Sequence, residues 1–310
     1  MNKNLLKFYE KFCIMQWGIG LAKADIKNMI RNKEYNFEIT WLPKNGKTTS
    51  LADPFIFKTP DGKINLLHEN FSMAQYGNYG KIDLTVLDQD FKLLENRRLM
   101  DIHSHLSYPF IFTENGKTYI IPESYSNNKV SAYEFDFNTN TLVNGKVLID
   151  NLPVIDSTIL KFNDKYWMFC TLGGTNNDHS KLYIYHADSL FGNYTPHKKN
   201  PVKEGLDGSR PAGSFIIVDG EIYRPAQNCA KIYGRSITIF KVLTLTENEF
   251  EEEPYLGLEP EKNSYYDIGI HTINSIDDVV VIDGIRFVFM PFTKIYFSII
   301  KLLKKISGHR

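Results

Sequence analysis

One pattern recurs five times along the chain: a short apolar run, a tight polar turn and a second apolar run. The five segments are PFIF-KTPDGK-INLL, PFIF-TENGK-TYII, STIL-KFNDK-YWMF, SFII-VDGE-IYRP and VVV-IDGI-RFVF. Their turns contain Gly, Asn or Asp, the residues that tolerate the positive φ of tight hairpin turns. We therefore predict five β-hairpins, with turns at Gly62, Gly116, Asp164, Gly220 and Gly284.

The spacing of these turns predicts the fold. Successive turns are 54, 48, 56 and 64 residues apart, and strand-like runs such as KIDLTVL, KVSAYEF and KLYIYHA fill the gaps. Four short strands recurring at this period predict an all-β, five-bladed β-propeller. A β-sandwich is the alternative. A doubly wound α/β fold is rejected because the region from Trp41 to Phe292 has almost no long amphipathic helix.

The composition of the chain limits which partners and which cellular location we expect for the protein. The 36 Lys and Arg residues balance 36 Asp and Glu residues, so we expect no nucleic-acid partner. Three widely spaced cysteines without a CxxC motif predict neither a disulfide framework nor a zinc site, as is typical of the cytosol. The first residues mix charge with apolar residues and do not form a signal peptide, so we expect a cytoplasmic protein.

The end of the sequence differs from the rest, and we divide the chain into a propeller at 1–292 and a basic amphipathic helix at 293–310. The apolar stripe of this helix comprises Ile295, Ile299, Leu302, Leu303 and Ile306, whereas its lysines, Lys294, Lys301 and Lys305, fall on another face and Lys304 lies nearby. Such a helix can bind an anionic membrane surface, placing the protein peripherally at the inner face of the membrane. Alternatively, the stripe packs on an outer blade.

Polar residues occupy matching places in the repeat. In a propeller, the start of the first strand and the end of the second strand share one rim. About nine residues before each turn lie Asp53, the Ser107-Tyr108 pair after His103 and His105, Asp156, Arg210, and Asn274-Ser275 after His271; seven residues after each turn lie Glu69, Glu123, Thr171, Gln227 and Pro291. Because the flanking runs are alike while these rim residues differ in chemistry, we predict a functional site at one mouth.

Acetal chemistry needs one carboxyl group protonated and another ionised, so we predict Asp53, Glu123 and Asp156 as catalytic residues. The predicted substrate-binding residues are Glu69, His103, His105, Arg210, Gln227, Arg235 and His271. Structural alternatives remain, because Asp53 and Asp156 could cap turns and the arginines could pair with rim carboxylates. His103 and His105 alternate along a predicted strand, but no third ligand stands at a diagnostic spacing, so we predict neither a metal nor a cofactor.

Five strings of the sequence resemble those of a known family: LADPFIF, HLSYPFIFTENGKTYIIPES, VIDSTILKFNDKYWMF, GSRPAGSFIIVDGEIYRPAQNCAKIYGRSI and GIHTINSIDD. Over roughly Trp17 to Phe292, the chain resembles the N-terminal domain of plant glucosamine inositolphosphorylceramide transferases and its bacterial relatives. These in turn resemble the five-bladed propellers of arabinanases, fructosidases and related furanosidases. That resemblance implies roles for the aspartates that open the first and third blades, Asp53 and Asp156. Glu123 would be the acid, whereas many of those hydrolases carry it in a later blade.

These observations lead us to expect a carbohydrate-active protein that builds cell-surface polysaccharide or glycolipid, acting on a glycan or an activated sugar. We favour glycosyl transfer, because a cytosolic glycan enzyme meets sugar nucleotides and lipid-linked intermediates more often than mature polymer. In this scheme Arg210 and Arg235 neutralise an anionic substrate group. A furanosidase-like glycoside hydrolase and a non-catalytic sugar- or partner-binding propeller are the alternatives.

Overall fold

The repeated hairpins form the inner part of a five-bladed propeller, as expected. A computed structural model describes residues 3–43, 46, 48–59, 61–72, 78–174 and 179–306. Over these ranges the strands form five antiparallel sheets, and each predicted hairpin of the first four blades supplies two neighbouring strands. Hence the fold class read from the repeat period is confirmed, and the β-sandwich is excluded.

The blades are numbered in the order of their inner strands, and each is given from its inner to its outer strand. Blade 1 contains Thr49–Lys58, Ile64–Ser72, Lys81–Leu87 and Leu93–Met100, and blade 2 contains Ser107–Glu114, Lys117–Glu123, Lys129–Asp136 and Thr141–Asp150. Blade 3 contains Val154–Phe162, Lys165–Leu172, Lys181–Ala187, Thr195–Pro196 and Lys203–Glu204. Blade 4 contains Asp207–Pro211, Ile216–Val218, Glu221–Asn228, Ser236–Leu245 and Phe250–Leu258. Blade 5 contains Ile273–Ile276, Val279–Phe289, Cys13–Lys23 and Thr40–Trp41.

Blade 5 closes the ring by joining both ends of the chain. The early strand Cys13–Lys23 pairs antiparallel with Val279–Phe289 along its whole length. Long continuous pairing of this kind leaves few exposed strand edges, which is how a propeller avoids an open sheet.

The prediction of a fifth hairpin turn at Gly284 is wrong. Gly284 lies in the middle of the strand Val279–Phe289, and the true turn is at Asp277, which has a φ of 50°. The glycine is required by packing: a Cβ atom there would lie 2.6 Å from Trp41 and 2.7 Å from Tyr266. Consequently Pro291, which was placed at the rim by counting from Gly284, begins a helix instead.

Apolar side chains fill the spaces between neighbouring blades. One cluster packs Phe55 of blade 1 with Tyr108 of blade 2 and Ile159 of blade 3, and another joins blades 4 and 5 through residues such as Ile239 and Val280. Because a blade is covered on both faces, its inner strands are continuously apolar instead of alternating. Each fully buried aliphatic or aromatic side chain contributes roughly 1.5–3 kcal/mol to this packing.

The helices lie at the periphery. They are Lys3–Phe12, Ile26–Asn32, the 3₁₀ turn Tyr125–Asn127, and Pro291–Ile306. Asp25 caps Ile26–Asn32 because its Oδ1 accepts the backbone N–H of Lys27 at 2.8 Å. The last helix confirms the short C-terminal helix, starting two residues before the predicted 293; residues 307–310 fall outside the described part. Within the described ranges, no helix combines the length and apolar character needed to cross a membrane.

Candidate functional site

A funnel of about 370 Å³ opens where the inner strands of the blades begin. Its lining includes six of the residues predicted from the sequence: Asp53, Glu69, His105, Glu123, Arg210 and His271. Aromatic rings of Trp17, Phe71, Tyr125 and Tyr233 complete the wall. The volume and the mixture of flat rings with hydrogen-bonding groups are typical of a small-molecule or sugar site.

A recurring irregularity in the inner strands positions the site. Pairing is interrupted by a bulge in blades 1, 2 and 3, and the residues in these bulges, Asp53, Tyr108 and Asp156, have φ values of 52°, 40° and 51°. Bulges redirect side chains, and aspartate tolerates positive φ better than most residues do. Positive φ at Tyr108 is more costly, and strain of this kind concentrates at functional sites.

Each bulge donates its backbone N–H to a carboxylate of the preceding blade. Asp53 N donates to Asp283 Oδ2 at 3.0 Å, and Tyr108 N donates to Asp53 Oδ2 at 3.3 Å. In the same way, Asp156 N donates to Glu123 Oε2 at 3.1 Å. The acids are therefore held in place by the neighbouring blades as well as by their own strands.

Asp156 is buried beside Arg210, which lines the funnel, and it has two polar partners. Arg210 Nε donates a short hydrogen bond to Asp156 Oδ2, and Gln227 Nε2 donates to the same oxygen at 3.3 Å. Arg210 Nη1 also donates to His179 Nδ1 at 2.7 Å, and its guanidinium lies 5.3 Å from the Tyr233 ring. The salt bridge that the sequence left open for Arg210 therefore exists, and it keeps a counter-charge beside Asp156.

Burial raises the pKa values of three carboxyl groups in the funnel. It raises the pKa of Asp53 to about 6, an effect that nearby His271 opposes. It raises the pKa of Glu69 and that of Glu123 well above their usual value, and the negative charge of Asp53 adds to the shift at Glu69, as that of Asp156 does at Glu123. The protonated forms of both glutamates are therefore favoured, and Asp53 titrates at about pH 6.

His271 links two of the acids. Its Nδ1 lies 2.6 Å from Asp283 Oδ2 and its Nε2 lies 3.5 Å from Asp53 Oδ1, and its ring stacks on Trp17 with centroids 3.7 Å apart. Burial lowers the pKa of His271, but the charges of Asp283 and Asp53 more than offset this effect, so the pKa is raised. The two neighbouring carboxylates therefore favour the protonated form of the imidazole.

Asp53, His271 and Asp283 also place potential metal-ligand atoms within 4.8 Å of one another. The Asp283 oxygens already accept the backbone N–H groups of Asp53, His271 and Thr272. The contacts that the structure shows for this group are hydrogen bonds and ion pairs within the protein.

Four predicted site residues do not line the funnel, namely Asp156, Gln227, His103 and Arg235. Asp156 and Gln227 are buried and hydrogen-bonded to each other. The structure also corrects the predicted strand through His103 and His105. Both histidines lie in the loop between blades 1 and 2, where only His105 reaches the funnel. The His103 side chain is 90 % exposed and its Nδ1 lies 3.1 Å from Tyr79 Oη. Arg235 instead pairs with Glu259 at 2.9 Å and donates to the Ile268 carbonyl at 2.8 Å.

Sequence reasoning missed several groups at the site, among them Asp283, His179 and Tyr233. Asp283 was hidden because the IDG string was assigned to a turn. The Asp-Asp pair in the string SIDDVV was the signal for the correct turn. The hydroxyl group of Tyr108 accepts the backbone N–H of Gly213, within the RPAG string, at 2.7 Å.

These features define a five-bladed propeller with a cluster of buried acids in the funnel at one mouth. A sequence profile described as "Glucosamine inositolphosphorylceramide transferase 1, N-terminal" matches residues 43–282, and the chain belongs to this family. It is 30 % identical over 250 residues to glucosamine inositolphosphorylceramide transferase 1 of Oryza sativa subsp. japonica, covering 76 % of this chain and 33 % of the relative. It is 29 % identical over 306 residues to the Arabidopsis thaliana protein of the same name, covering 87 % of this chain and 39 % of the relative. The chain thus spans about a third of the length of these curated relatives.

Solved structures show the same fold. A GH43 β-1,3-galactosidase solved with galactodeoxynojirimycin has a TM-score of 0.55 at 12 % identity, covering 70 % of this chain and 82 % of the other. An exo-β-1,3-galactanase from Clostridium thermocellum has a TM-score of 0.53 at 13 % identity, covering 70 % and 54 %. At this level of identity the likeness extends to the architecture alone.

Proposed function

We propose that the funnel binds a glycan or an activated sugar and that the protein transfers a glycosyl group in the synthesis of a cell-surface polysaccharide or glycolipid. Two independent facts support this proposal. The family is named for transferases, and the funnel combines aromatic walls with buried acids. The expected cytoplasmic location is part of the same proposal.

The observation that carries the proposal is the set of buried carboxyl groups, Asp53, Glu69 and Glu123, that line one funnel. Burial and the nearby charge of Asp156 raise the pKa of Glu123 well above its usual value and favour its protonated form, whereas the pKa of Asp53 is raised to about 6. Pairs of carboxyl groups whose environments push their pKa values apart are suited to act as acid and base in one reaction.

In the proposed reaction, Asp53 accepts the proton of an acceptor hydroxyl group as its oxygen forms the new bond to the anomeric carbon. Glu123 donates its proton to the oxygen of the leaving group as the old glycosidic or phosphoester bond breaks. Asp156 remains paired with Arg210 and keeps that side chain in place in the funnel wall. Asp53 gains one proton and Glu123 loses one, so the protonation states of the two carboxyl groups are exchanged. Proton transfer to and from solvent then restores the starting state.

The test is turnover with a panel of sugar nucleotides and aryl furanosides, comparing the unmodified chain with Glu123→Gln. Loss of a positioned proton donor should lower turnover by about 10²-fold or more while the fold remains intact. Glu134→Gln is the matched control, because Glu134 lies in the same blade, pairs with Lys117 on the surface and is remote from the funnel. Equal rates for Glu123→Gln and the unmodified chain would remove Glu123 from the mechanism.

A second candidate is a non-catalytic glycan-recognition domain. The supporting observation is that the chain matches only about a third of each curated relative, so the chemistry of those proteins can reside elsewhere. In that case, calorimetry would detect binding of a sugar from the same panel, Trp17→Ala would weaken it, and no turnover would be found with any acceptor.

A further inference from the structure

The last helix, Pro291–Ile306, presents its apolar side outward. Phe292 is 85 % exposed, and the other large apolar side chains on this side are between 51 % and 58 % exposed: Ile295, Tyr296, Ile299, Leu302 and Leu303. Had the helix closed a blade, this stripe would be buried. The packing alternative considered for the sequence therefore does not describe this helix.

The first helix, Lys3–Phe12, extends the same surface. Phe8 is exposed and stacks on Phe289 with centroids 6.1 Å apart and an angle of 3° between the rings. Tyr9 stacks on Phe287 at 4.4 Å, and Met290 N donates to the Phe12 carbonyl at 2.9 Å. The two helices and the strand end between them thus form one apolar surface. This helix surface comprises Phe8, Phe289, Phe292, Ile295, Tyr296, Ile299, Leu302 and Leu303.

Basic residues accompany the helix surface. The last helix contains four lysines and no acidic residue, and the first contains three lysines and one glutamate. In the sequence, at 100° per residue, the positions of these lysines fall on the side of the helical wheel away from the apolar stripe. The whole chain has no net charge, so this end is a local positive patch on a neutral protein.

A groove connects this patch with the funnel. It has a volume of about 570 Å³ and is lined by residues that include Tyr9, Lys231, Lys294 and Phe297. Groove and funnel share four lining residues, namely Trp17, Phe71, Asn78 and Tyr233. The candidate site therefore continues toward the side of the molecule that carries the helices.

We propose that the helix surface docks on an anionic lipid bilayer. Its apolar side chains enter the boundary between headgroups and acyl chains, and the lysines lie at the level of the negatively charged headgroups. A second copy of the chain fits less well, because its two helices carry the same excess of lysines and supply no opposite charge, whereas an anionic bilayer does. Docking in this way places the groove beside the headgroups, so a molecule carried by the bilayer can reach the funnel.

The test is sedimentation of the full chain with vesicles of phosphatidylcholine alone and of phosphatidylcholine mixed with phosphatidylglycerol. We expect binding to the mixed vesicles that falls when salt is raised, because screening weakens contacts with exposed lysines. Leu303→Glu should reduce binding about tenfold or more, since it places a charge in the apolar stripe. Leu243→Glu is the matched control: Leu243 is a similarly exposed leucine on blade 4 and should leave binding unchanged.

Three results would overturn the proposal: no binding to mixed vesicles, equal loss in the two leucine variants, or a Leu303-dependent dimer in place of vesicle binding. The last result would assign the helix surface to a second copy. Sugar binding by calorimetry without vesicles should be the same for Leu303→Glu and the unmodified chain. That measurement separates a failure of docking from a failure of the proposed function.

Discussion

Two buried clusters of charged residues in this propeller are built from the same kinds of side chains with opposite balances. In blade 4, Glu252 accepts hydrogen bonds from Arg224 at 2.6 and 2.7 Å and from Lys203 at 2.7 Å, so two cations serve one acid. Burial raises the pKa of Glu252, but the two cations, Arg224 foremost, more than offset this effect and the pKa is lowered. A cluster in which every buried charge has a partner of opposite sign is a structural ion pair.

In the funnel, acids outnumber cations and the cavity reaches solvent. There the desolvation of the carboxyl groups is not fully compensated, so the pKa values of Asp53, Glu69 and Glu123 rise. The comparison teaches that burial of charge alone does not indicate function. A functional site is indicated instead by an excess of charges of one sign around a cavity that a ligand can enter.

The largest expected effect is on the structural cluster. Arg224→Met should lower the free energy of unfolding by about 3–5 kcal/mol, because it leaves Glu252 buried with only Lys203 as a partner. The measurement is urea unfolding at neutral pH. The double variant Arg224→Met with Glu252→Leu should recover most of the loss, and a single variant as stable as the unmodified chain would show that the cluster is not a buried ion pair.

The next effect concerns the funnel and depends on pH. The pKa of Glu69 is raised in the folded state, so the folded chain binds this proton more tightly than the unfolded chain does. Stability from this group is therefore complete below its usual pKa of 4.5 and is lost as pH rises toward the raised value.

We therefore expect Glu69→Gln, which cannot ionise, to gain stability over the unmodified chain by about 1.4 kcal/mol per pH unit in that window. The measurement is urea unfolding of both proteins from acid to weakly alkaline pH. Parallel stability curves would contradict the shift, because the difference between the two proteins would then not depend on ionisation.

The smallest effect should come from a surface pair. The charged groups of Lys117 and Glu134 lie 2.9 Å apart, and both side chains are in contact with solvent. Lys117→Ala should leave the unfolding midpoint within experimental error, because exposed pairs are screened and gain little. A marked loss would mean that exposure is a poor guide to which ion pairs matter in this protein.

Local sequence signals predicted most of the fold. Four hairpin turns are specified by their own residues, which is why they could be read directly. The fifth failed because Gly284 is a glycine for a non-local reason, the close approach of Trp41 and Tyr266. Counting residues from a predicted turn cannot reveal a contact that forms only when the propeller closes into a ring.

Part of the site was predicted from local sequence signals, and part was missed because it depends on non-local contacts. Asp53 and Asp156 were found because they occupy equivalent bulges, a regularity that the repeat preserves. Arg235 was misplaced because its partner, Glu259, comes from a distant part of the sequence. Asp283 was missed because its position depends on the correct turn in blade 5.

The central claim is that burial in the funnel raises the pKa values of Asp53 and Glu123 above those of exposed acids. It is tested most directly by carboxyl ¹³C NMR titration of the chain labelled at Asp and Glu, with Asp53→Asn and Glu123→Gln for assignment. We predict an aspartate signal with a midpoint near pH 6 that disappears in Asp53→Asn, and a glutamate signal with a midpoint well above 4.5 that disappears in Glu123→Gln. If both carboxyl groups instead titrate at the ordinary values of exposed acids, the account of the funnel as an acid and base site is contradicted.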